Sequence, residues 1–136
     1  MKTIVLISCV SKKLAHAAKA RDIYVSPLFR LNLAYAESLK PDAIYVLSAK
    51  HGLLALEDQI EPYELTLNTM GVGQIRAWAG GVVSQLAAVA DLKRDRFVFL
   101  AGDKYRKFLV PHLAKFEVPM QGLTIGRQLQ FLSRRT

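Results

Sequence analysis

The stretch Thr3–Ser8, with the sequence TIVLIS, decides the expected fold. It is an uninterrupted apolar run rich in β-branched residues, and such runs are typical of strands that are buried on both faces of a parallel sheet. Two similar runs follow, AIYVLS at Ala43–Ser48 and RFVFLA at Arg96–Ala101, and a shorter one lies at Lys115–Pro119. These runs predict the strands of a mostly parallel sheet.

Helical patterns separate the apolar runs. Ser26–Pro27 is typical of a helix start, with serine as the N-cap and proline at the first helical position. Apolar residues repeat at helical spacing from Val72 to Val89, and shorter helices are expected after Gly102 and at Gly126–Leu132. Strands that alternate with helices predict an α/β domain with helices on both faces of the sheet. The chain length fits a single domain, residues 1–136.

The charge balance favours polyanionic partners. The chain has 19 Lys and Arg against 11 Asp and Glu, for a net charge of +8, which suits nucleic acid or nucleotides. A soluble protein that happens to be basic is the alternative. No apolar run approaches the roughly 20 residues of a membrane span, and no signal-peptide core is present. We therefore expect a cytoplasmic protein with no membrane partner. The sequence indicates no oligomeric state.

Neither a metal nor a cofactor is expected. The single cysteine, Cys9, fits a reducing compartment and cannot form an internal disulfide. The three histidines, His16, His51 and His112, lie far apart in the sequence. Without paired Cys and His spacing, a dedicated zinc site is not predicted.

Ligands of parallel α/β sheets bind beyond the carboxyl ends of the strands, and polar sequence follows three of the predicted strands. SCVSKK at Ser8–Lys13 offers hydroxyls, a thiol and two ammonium groups that can hold phosphate; a solvated basic loop, part of a long loop over 10–25, is the alternative. AGDKYRKFL sets Gly102 and Asp103 at a helix start, which binds anions unless Asp103 itself fills it as a cap. The candidate ligand-binding residues are Ser8, Cys9, Lys12, Lys13, Ser48, Lys50, Gly52, Tyr63, Gly102, Asp103 and Tyr105.

The segment after the second strand is unusual for a basic chain. HGLLALEDQIEPYELTL, His51–Leu67, places four acids within eight residues. Carboxylates near lysines can activate water or stabilise the cation that grows on a sugar as an N-glycosidic bond breaks. Asp58 and Glu61 are three residues apart, so one turn could aim both into a site, and Tyr63 offers a stacking face. The alternative is that these acids are solvated or pair with Lys50.

Two further side chains are candidates for chemistry. His51 is either a general base, a group that stacks on a nucleobase, or an exposed loop histidine. Cys9 is a nucleophile if His51 activates it, or else a small apolar filler. A thiol enzyme that uses both residues is therefore a third functional hypothesis.

The motifs ISCVSKK, YVSPLFR, LSAKHGLL, IEPYELTL, AGDKYRKFL and GLTIGRQLQFL resemble those of a family of small bacterial, archaeal and phage domains of unknown function. HGLLALEDQIEPYELTL also resembles the hallmark segment of the YaaA peroxide-stress family, although His51 stands where a tyrosine is usual. The resemblance implies a three-layer α/β sandwich similar to uracil-DNA glycosylases, with a mostly parallel four-stranded sheet.

The resemblance also implies a role directed at nucleic acid, with DNA expected before RNA, or at a nucleotide. If the site works as in the glycosylase superfamily, Asp58 is the acid that activates water, with His51 and Glu61 as further catalytic candidates, and Ser8, Lys12 and Lys50 bind phosphate or base. Two functions are therefore expected. The first is an N-glycosidase that hydrolyses a base–sugar bond, and the second is a non-catalytic DNA-binding protein of stress or phage defence.

Overall fold

The computed structural model describes all 136 residues, Met1–Thr136. The seven strands are β1 (Thr3–Ser8), β2 (Ala18–Lys19), β3 (Ala43–Ser48), β4 (Gly52–Ala55), β5 (Gln59–Ile60), β6 (Arg96–Leu100) and β7 (Lys115–Glu117). The five α helices are α1 (Ala20–Ile23), α2 (Pro27–Ser38), α3 (Val72–Val89), α4 (Asp103–Arg106) and α5 (Ile125–Ser133). Short 3-10 turns lie at Leu67–Thr69 and Val110–His112.

The main sheet has five strands in the order β4-β3-β1-β6-β7. β1 pairs in parallel with both β3 and β6, and β6 pairs in parallel with β7. β4 is antiparallel to β3, with Ser48 opposite Gly52 and Tyr45 opposite Ala55. A second, two-stranded sheet joins β2 to β5. The prediction of a mostly parallel α/β sheet is confirmed, whereas the number of strands is five rather than four.

Both faces of the sheet are covered. Ile4, Val5, Leu6 and Ile7 alternate between the two faces of β1, and each is at most 1% exposed. Burial on both faces explains why the strand is apolar at every position instead of every second one. None of the helices combines the length and the apolar character that a membrane span requires.

The connections between the strands create a crevice beside β1. The chain leaves β1 through α2 and returns to one side of it as β3, then crosses through α3 to the other side as β6. Because such crossovers are right-handed, the connections that leave β1 and β6 run to opposite faces of the sheet. The carboxyl ends of β1 and β6 therefore flank a switch point, which is where open α/β sheets bind ligands.

Local sequence explains the position of α2. Pro27 is its first residue, and the Oγ atom of Ser26 accepts a hydrogen bond from the backbone N–H of Phe29 at 3.1 Å, as the sequence predicts. The prediction of one long loop over 10–25 is wrong, because β2, α1 and a bridge between Lys13 and Tyr24 lie there. These elements are too short to leave a periodic pattern in the sequence.

Candidate functional site

A cleft of about 510 Å³ lies at the switch point between β1 and β6. Its volume falls in the range of small-molecule binding sites. Ser8 and Cys9 form its edge at the end of β1, and Leu100 to Asp103 form its edge at the end of β6. Helix α2 and the amino-terminal part of α5 supply further walls, with Leu28, Asn32, Ile125 and Gln128.

Asn32 is the most unusual residue of the cleft. It is 4% exposed, yet its Oδ1 atom has no hydrogen-bond partner. Leaving a buried amide oxygen unpaired costs about 1–3 kcal/mol, so such atoms are rare in folded proteins. Because Asn32 also lines the cleft, its amide is the first candidate for a polar contact with a bound molecule.

The thiol of Cys9 lies against a buried tyrosine. The Sγ atom of Cys9 is 3.3 Å from the hydroxyl of Tyr105, and both residues line the cleft. Burial raises the pKa of Tyr105, and the adjacent Cys9 raises it further. The phenol is therefore neutral at physiological pH and can donate a hydrogen bond.

Two of the three charged residues that line the cleft are basic. Lys104 and Arg106 line it, and Asp103 is the one carboxylate among the lining residues. The guanidinium of Arg106 donates to the carbonyl of Ala101 at 2.8 Å, and it lies 4.0 Å from Asp103. Arg106 is thus fixed at the end of β6, while Lys104 is exposed and has no ion pair.

A buried hydroxyl network borders the same end of the sheet. The hydroxyl oxygens of Tyr24 and Tyr63 are 2.6 Å apart, and that of Tyr63 lies 2.7 Å from the Oγ atom of Ser48. Ser48 Oγ also accepts the backbone N–H of His51 at 3.0 Å, and the Ser48 carbonyl accepts the indole N–H of Trp78 at 2.8 Å. Burial raises the pKa of Tyr24 to about 12, and it raises that of Tyr63 as well.

Lys13 and His51 both pack on Tyr63. The ammonium of Lys13 lies 4.3 Å from the ring centroid of Tyr63, and burial lowers the pKa of this lysine. The His51 ring meets Tyr63 edge-on at 5.6 Å, and its Nε2 atom is buried without a partner. Burial, followed by the charge of Lys50, lowers the pKa of His51, so the imidazole is neutral at pH 7. The network therefore joins four predicted site residues, Lys13, Ser48, His51 and Tyr63.

The expected placement of Asp58 and Glu61 in the cleft is wrong. Both are exposed, and neither lines the cleft. The Oδ2 atom of Asp58 accepts the backbone N–H of Ala55 at 2.9 Å, which closes the turn after β4. Since β4 runs antiparallel to β3, it carries the chain away from the ends of the parallel strands. The neighbouring Glu57 pairs with Lys19 at 2.8 Å and with Arg21 at 3.2 Å.

The remaining predicted residues divide between the cleft, the surface and a turn. Gly102 lines the cleft and precedes α4, and the Asp103 side chain does not cap that helix. Lys12 and Lys50 are exposed and lie outside the lining. Gly52 has φ of +73°, and a Cβ atom there would collide with the side chain of Gln85. Its role in the structure is the turn into β4.

Sequence reasoning missed Asn32 as a site residue. The buried positions of α2 are Phe29, Asn32 and Ala36, which follow helical spacing. An asparagine at a core-facing position of an amphipathic helix breaks the apolar pattern. The polar residue within the otherwise largely apolar sequence RLNLAY is therefore the feature from which Asn32 could be identified as a candidate site residue. No group of three or more His, Cys, Asp or Glu side chains is arranged to hold a metal ion.

Comparison with known proteins identifies the family. Residues 4–134 match the Family of unknown function (DUF6884). The chain belongs to this family. No curated protein matches the chain, and no solved structure matches it. The part that matches DUF6884 contains every residue that lines the cleft and every residue of the hydroxyl network.

Proposed function

We propose that this DUF6884 protein binds a nucleotide unit, free or within nucleic acid, with the base in the cleft between β1 and β6. The observation that carries the proposal is the buried, unpaired amide oxygen of Asn32. A nucleobase edge presents a donor beside an acceptor, and the amide of asparagine presents the complementary pair. Binding of a base would therefore supply the hydrogen bond that the fold leaves unmade.

The walls of the cleft suit a flat heterocycle. Eleven of its 21 lining residues are hydrophobic, among them Leu28, Met120 and Leu123. Binding sites of this kind combine apolar walls with a few polar groups that fix orientation. The side-chain amides of Asn68, Gln121 and Gln128 add neutral polar groups to the lining.

Charge supports a phosphate-bearing ligand. Lys104 lines the cleft and has no ion pair, and the chain as a whole carries +8. A basic surface attracts polyanions and makes their binding salt-dependent. The resemblance of the sequence to the YaaA family, and to the fold of uracil-DNA glycosylases, favours the same class of ligand, with DNA before RNA.

Hydrolysis of the N-glycosidic bond is the second candidate function. With Asp58 outside the cleft, Asp103 is the carboxylate positioned to meet a bound nucleotide. Its side chain is 75% exposed, whereas a general base is held within hydrogen-bond reach of the water that it activates. Binding without catalysis is therefore the function that the geometry supports better.

A titration tests the binding proposal. Trp78 is the single tryptophan, and its ring lies 5.7 Å from that of Tyr105 in the cleft, so its fluorescence reports occupancy. We expect nucleoside monophosphates to bind at low salt, and Asn32→Leu to weaken binding by about 10- to 100-fold. Gln59→Leu, which alters an exposed amide outside the cleft, is the matched control. Absence of binding, or equal binding by Asn32→Leu, would reject the proposal.

A base-release assay separates the two candidate functions. Nucleosides, nucleotides and DNA are incubated with the protein, and free base is measured by chromatography. Release by the wild type that falls about 10²–10⁴-fold in Asp103→Asn would establish the hydrolase. Binding without release leaves the non-catalytic function.

A further inference from the structure

A cluster of cations on an aromatic ring lies beside the cleft and takes no part in the contacts described so far. The guanidinium carbon of Arg76, on α3, lies 4.8 Å from the ring centroid of Phe108. The ammonium of Lys107 lies 5.6 Å from the same centroid. Both distances are within the range of cation–π attraction. We call Arg76, Lys107 and Phe108 the cation–aromatic patch.

The charges of the patch have no counterion. Six ion pairs occur in the chain, and none includes Arg76, Lys104 or Lys107. Arg76 and Lys107 are like charges that share one ring, so they repel each other. An anion close to both cations would relieve that repulsion, and phosphate is an anion that arginine and lysine side chains bind.

The patch is next to the cleft along the chain. Helix α4 carries the lining residues Lys104 and Arg106, and Lys107 and Phe108 follow at once in the chain. Phe108 is half-buried. On α3, Val72 is 61% exposed and lies one helical turn before Arg76. Each cation therefore has an apolar side chain near it in the chain, Val72 one helical turn before Arg76 and Phe108 next to Lys107.

We propose that the cation–aromatic patch binds the nucleotide next to the one in the cleft, so that the ligand is a single-stranded polynucleotide. The inference rests on the proposed function of the cleft. Single strands bind to proteins through cations that follow the backbone and aromatic rings on which unpaired bases stack. The bases of a duplex are stacked within the helix and present only their edges in the grooves, so a duplex cannot place one base in the cleft and another on Phe108.

The experiment compares three probes by fluorescence titration at several salt concentrations. They are a thymidine monophosphate, a ten-residue single-stranded oligothymidylate and a ten-base-pair duplex. The wild type should bind the single strand at least about tenfold more tightly than the monophosphate or the duplex, because two sites act on one ligand. Equal affinity for the monophosphate and the single strand would overturn the inference and leave the function of the cleft intact.

Substitutions in the cation–aromatic patch test whether its residues provide the added affinity for the single strand. The double variant Arg76→Gln with Lys107→Gln should lose that gain, and the slope of log K against log salt should fall by about 1.4, since two phosphate contacts are removed. Phe108→Leu should weaken only the single strand. Monophosphate binding should be unchanged in both variants. The matched control is Lys93→Gln with Arg94→Gln, which removes two exposed cations outside the cleft and the patch.

The possible outcomes distinguish a failure of the inference about the patch from a failure of the proposed function of the cleft. If the patch variants bind the single strand as the wild type does, the second nucleotide lies elsewhere and the inference is wrong. If the control variant loses as much affinity as the patch variant, binding is diffuse and the inference is also wrong. If no probe binds the wild type, the proposed function fails together with the inference. Thermal unfolding of each variant shows whether a loss of binding reflects a loss of fold.

Discussion

The two ends of the main sheet differ in how completely their buried polar side chains are paired. At the amino end, Asp42 accepts the backbone N–H of Thr3 at 2.7 Å, and Asp95 accepts those of Lys2 at 2.7 Å and Asp91 at 2.8 Å. The carboxyl end contains the only two buried polar side-chain atoms of the chain that have no hydrogen-bond partner. They belong to Asn32 and His51.

The difference separates polar groups that stabilise the fold from those that the fold leaves unpaired. Asp95 is 5% exposed and uses both carboxylate oxygens to hold the start of β1 and the turn before β6. Asn32 is equally buried and makes no such contribution through its carbonyl oxygen. Buried polar groups without partners are expected at functional sites, and this expectation supports our proposal that the ligand binds at the carboxyl end.

The largest effect on stability is expected at the amino end. Asp95→Asn replaces a charged acceptor of two backbone N–H groups and places an amide donor against one of them. We expect the melting temperature to fall more than in any other variant discussed here. Asp22→Asn, at an exposed carboxylate, is the control and should leave it unchanged. Equal melting temperatures would show that the amino end does not depend on Asp95.

The pH dependence of the Asp95 effect follows from its hydrogen bonds. The backbone N–H groups of Lys2 and Asp91 lower the pKa of Asp95 in the folded state. Its contribution is therefore fully present above the unfolded pKa of about 4 and is lost as the pH falls through the lower folded pKa. Urea unfolding of the wild type and Asp95→Asn should converge in acid and diverge at neutral pH.

A smaller loss of stability is expected when the hydroxyl network is broken between the two chain segments that carry Tyr24 and Tyr63. Tyr63→Phe removes the hydroxyl that links Tyr24 to Ser48, and it leaves a buried phenol without its partner. The free energy of unfolding should fall by about 1–3 kcal/mol. Tyr35→Phe, at a half-buried ring outside the network, should change it by less than about 0.5 kcal/mol. Equal effects in both variants would contradict the structural role of the network.

The smallest effect concerns His51 and depends on pH. The imidazole has a pKa of about 6.5 in an unfolded chain, and burial and Lys50 lower it in the fold, against the opposing charge of Asp58. The unfolded state therefore binds the proton more tightly, and stability falls as the pH drops from 6.5 towards the folded pKa. His51→Gln should reduce the slope of unfolding free energy between pH 7 and 5. His16→Gln is the control, and a slope unaltered by His51→Gln would contradict the burial of Nε2.

The sequence predicts the parallel part of the fold well. Strands buried on both faces need apolar residues at every position, and that requirement leaves a visible run at Thr3–Ser8, Ala43–Ser48 and Arg96–Leu100. β4 was missed, because four residues that alternate between buried and half-buried leave a weak pattern beside the acids. Its antiparallel direction moves Asp58 away from the cleft, and sequence spacing cannot convey such a reversal.

The candidate site was predictable only in part. Ser8, Cys9, Gly102, Asp103 and Tyr105 line the cleft, since the ends of parallel strands and the turns after them meet at one edge of the sheet. The four acids of His51–Leu67 form a pattern that is visible in the sequence. A single asparagine in a helix carries less signal than four carboxylates, although its burial without a partner is the stronger indication of a ligand.

The most direct measurement is the equilibrium unfolding of Asn32→Leu in urea, without ligand. Leucine has the same branched arrangement of side-chain heavy atoms as asparagine, with methyl groups in place of the amide oxygen and nitrogen, and it has no polar group to leave unpaired. If the Asn32 amide serves to bind a ligand and does not stabilise the fold, the free energy of unfolding of the variant should exceed that of the wild type by about 1–3 kcal/mol. The variant should at the same time have lost nucleotide binding. A variant that is less stable than the wild type would show that the Asn32 amide supports the fold, and it would contradict the assignment of the cleft as a binding site built around that residue.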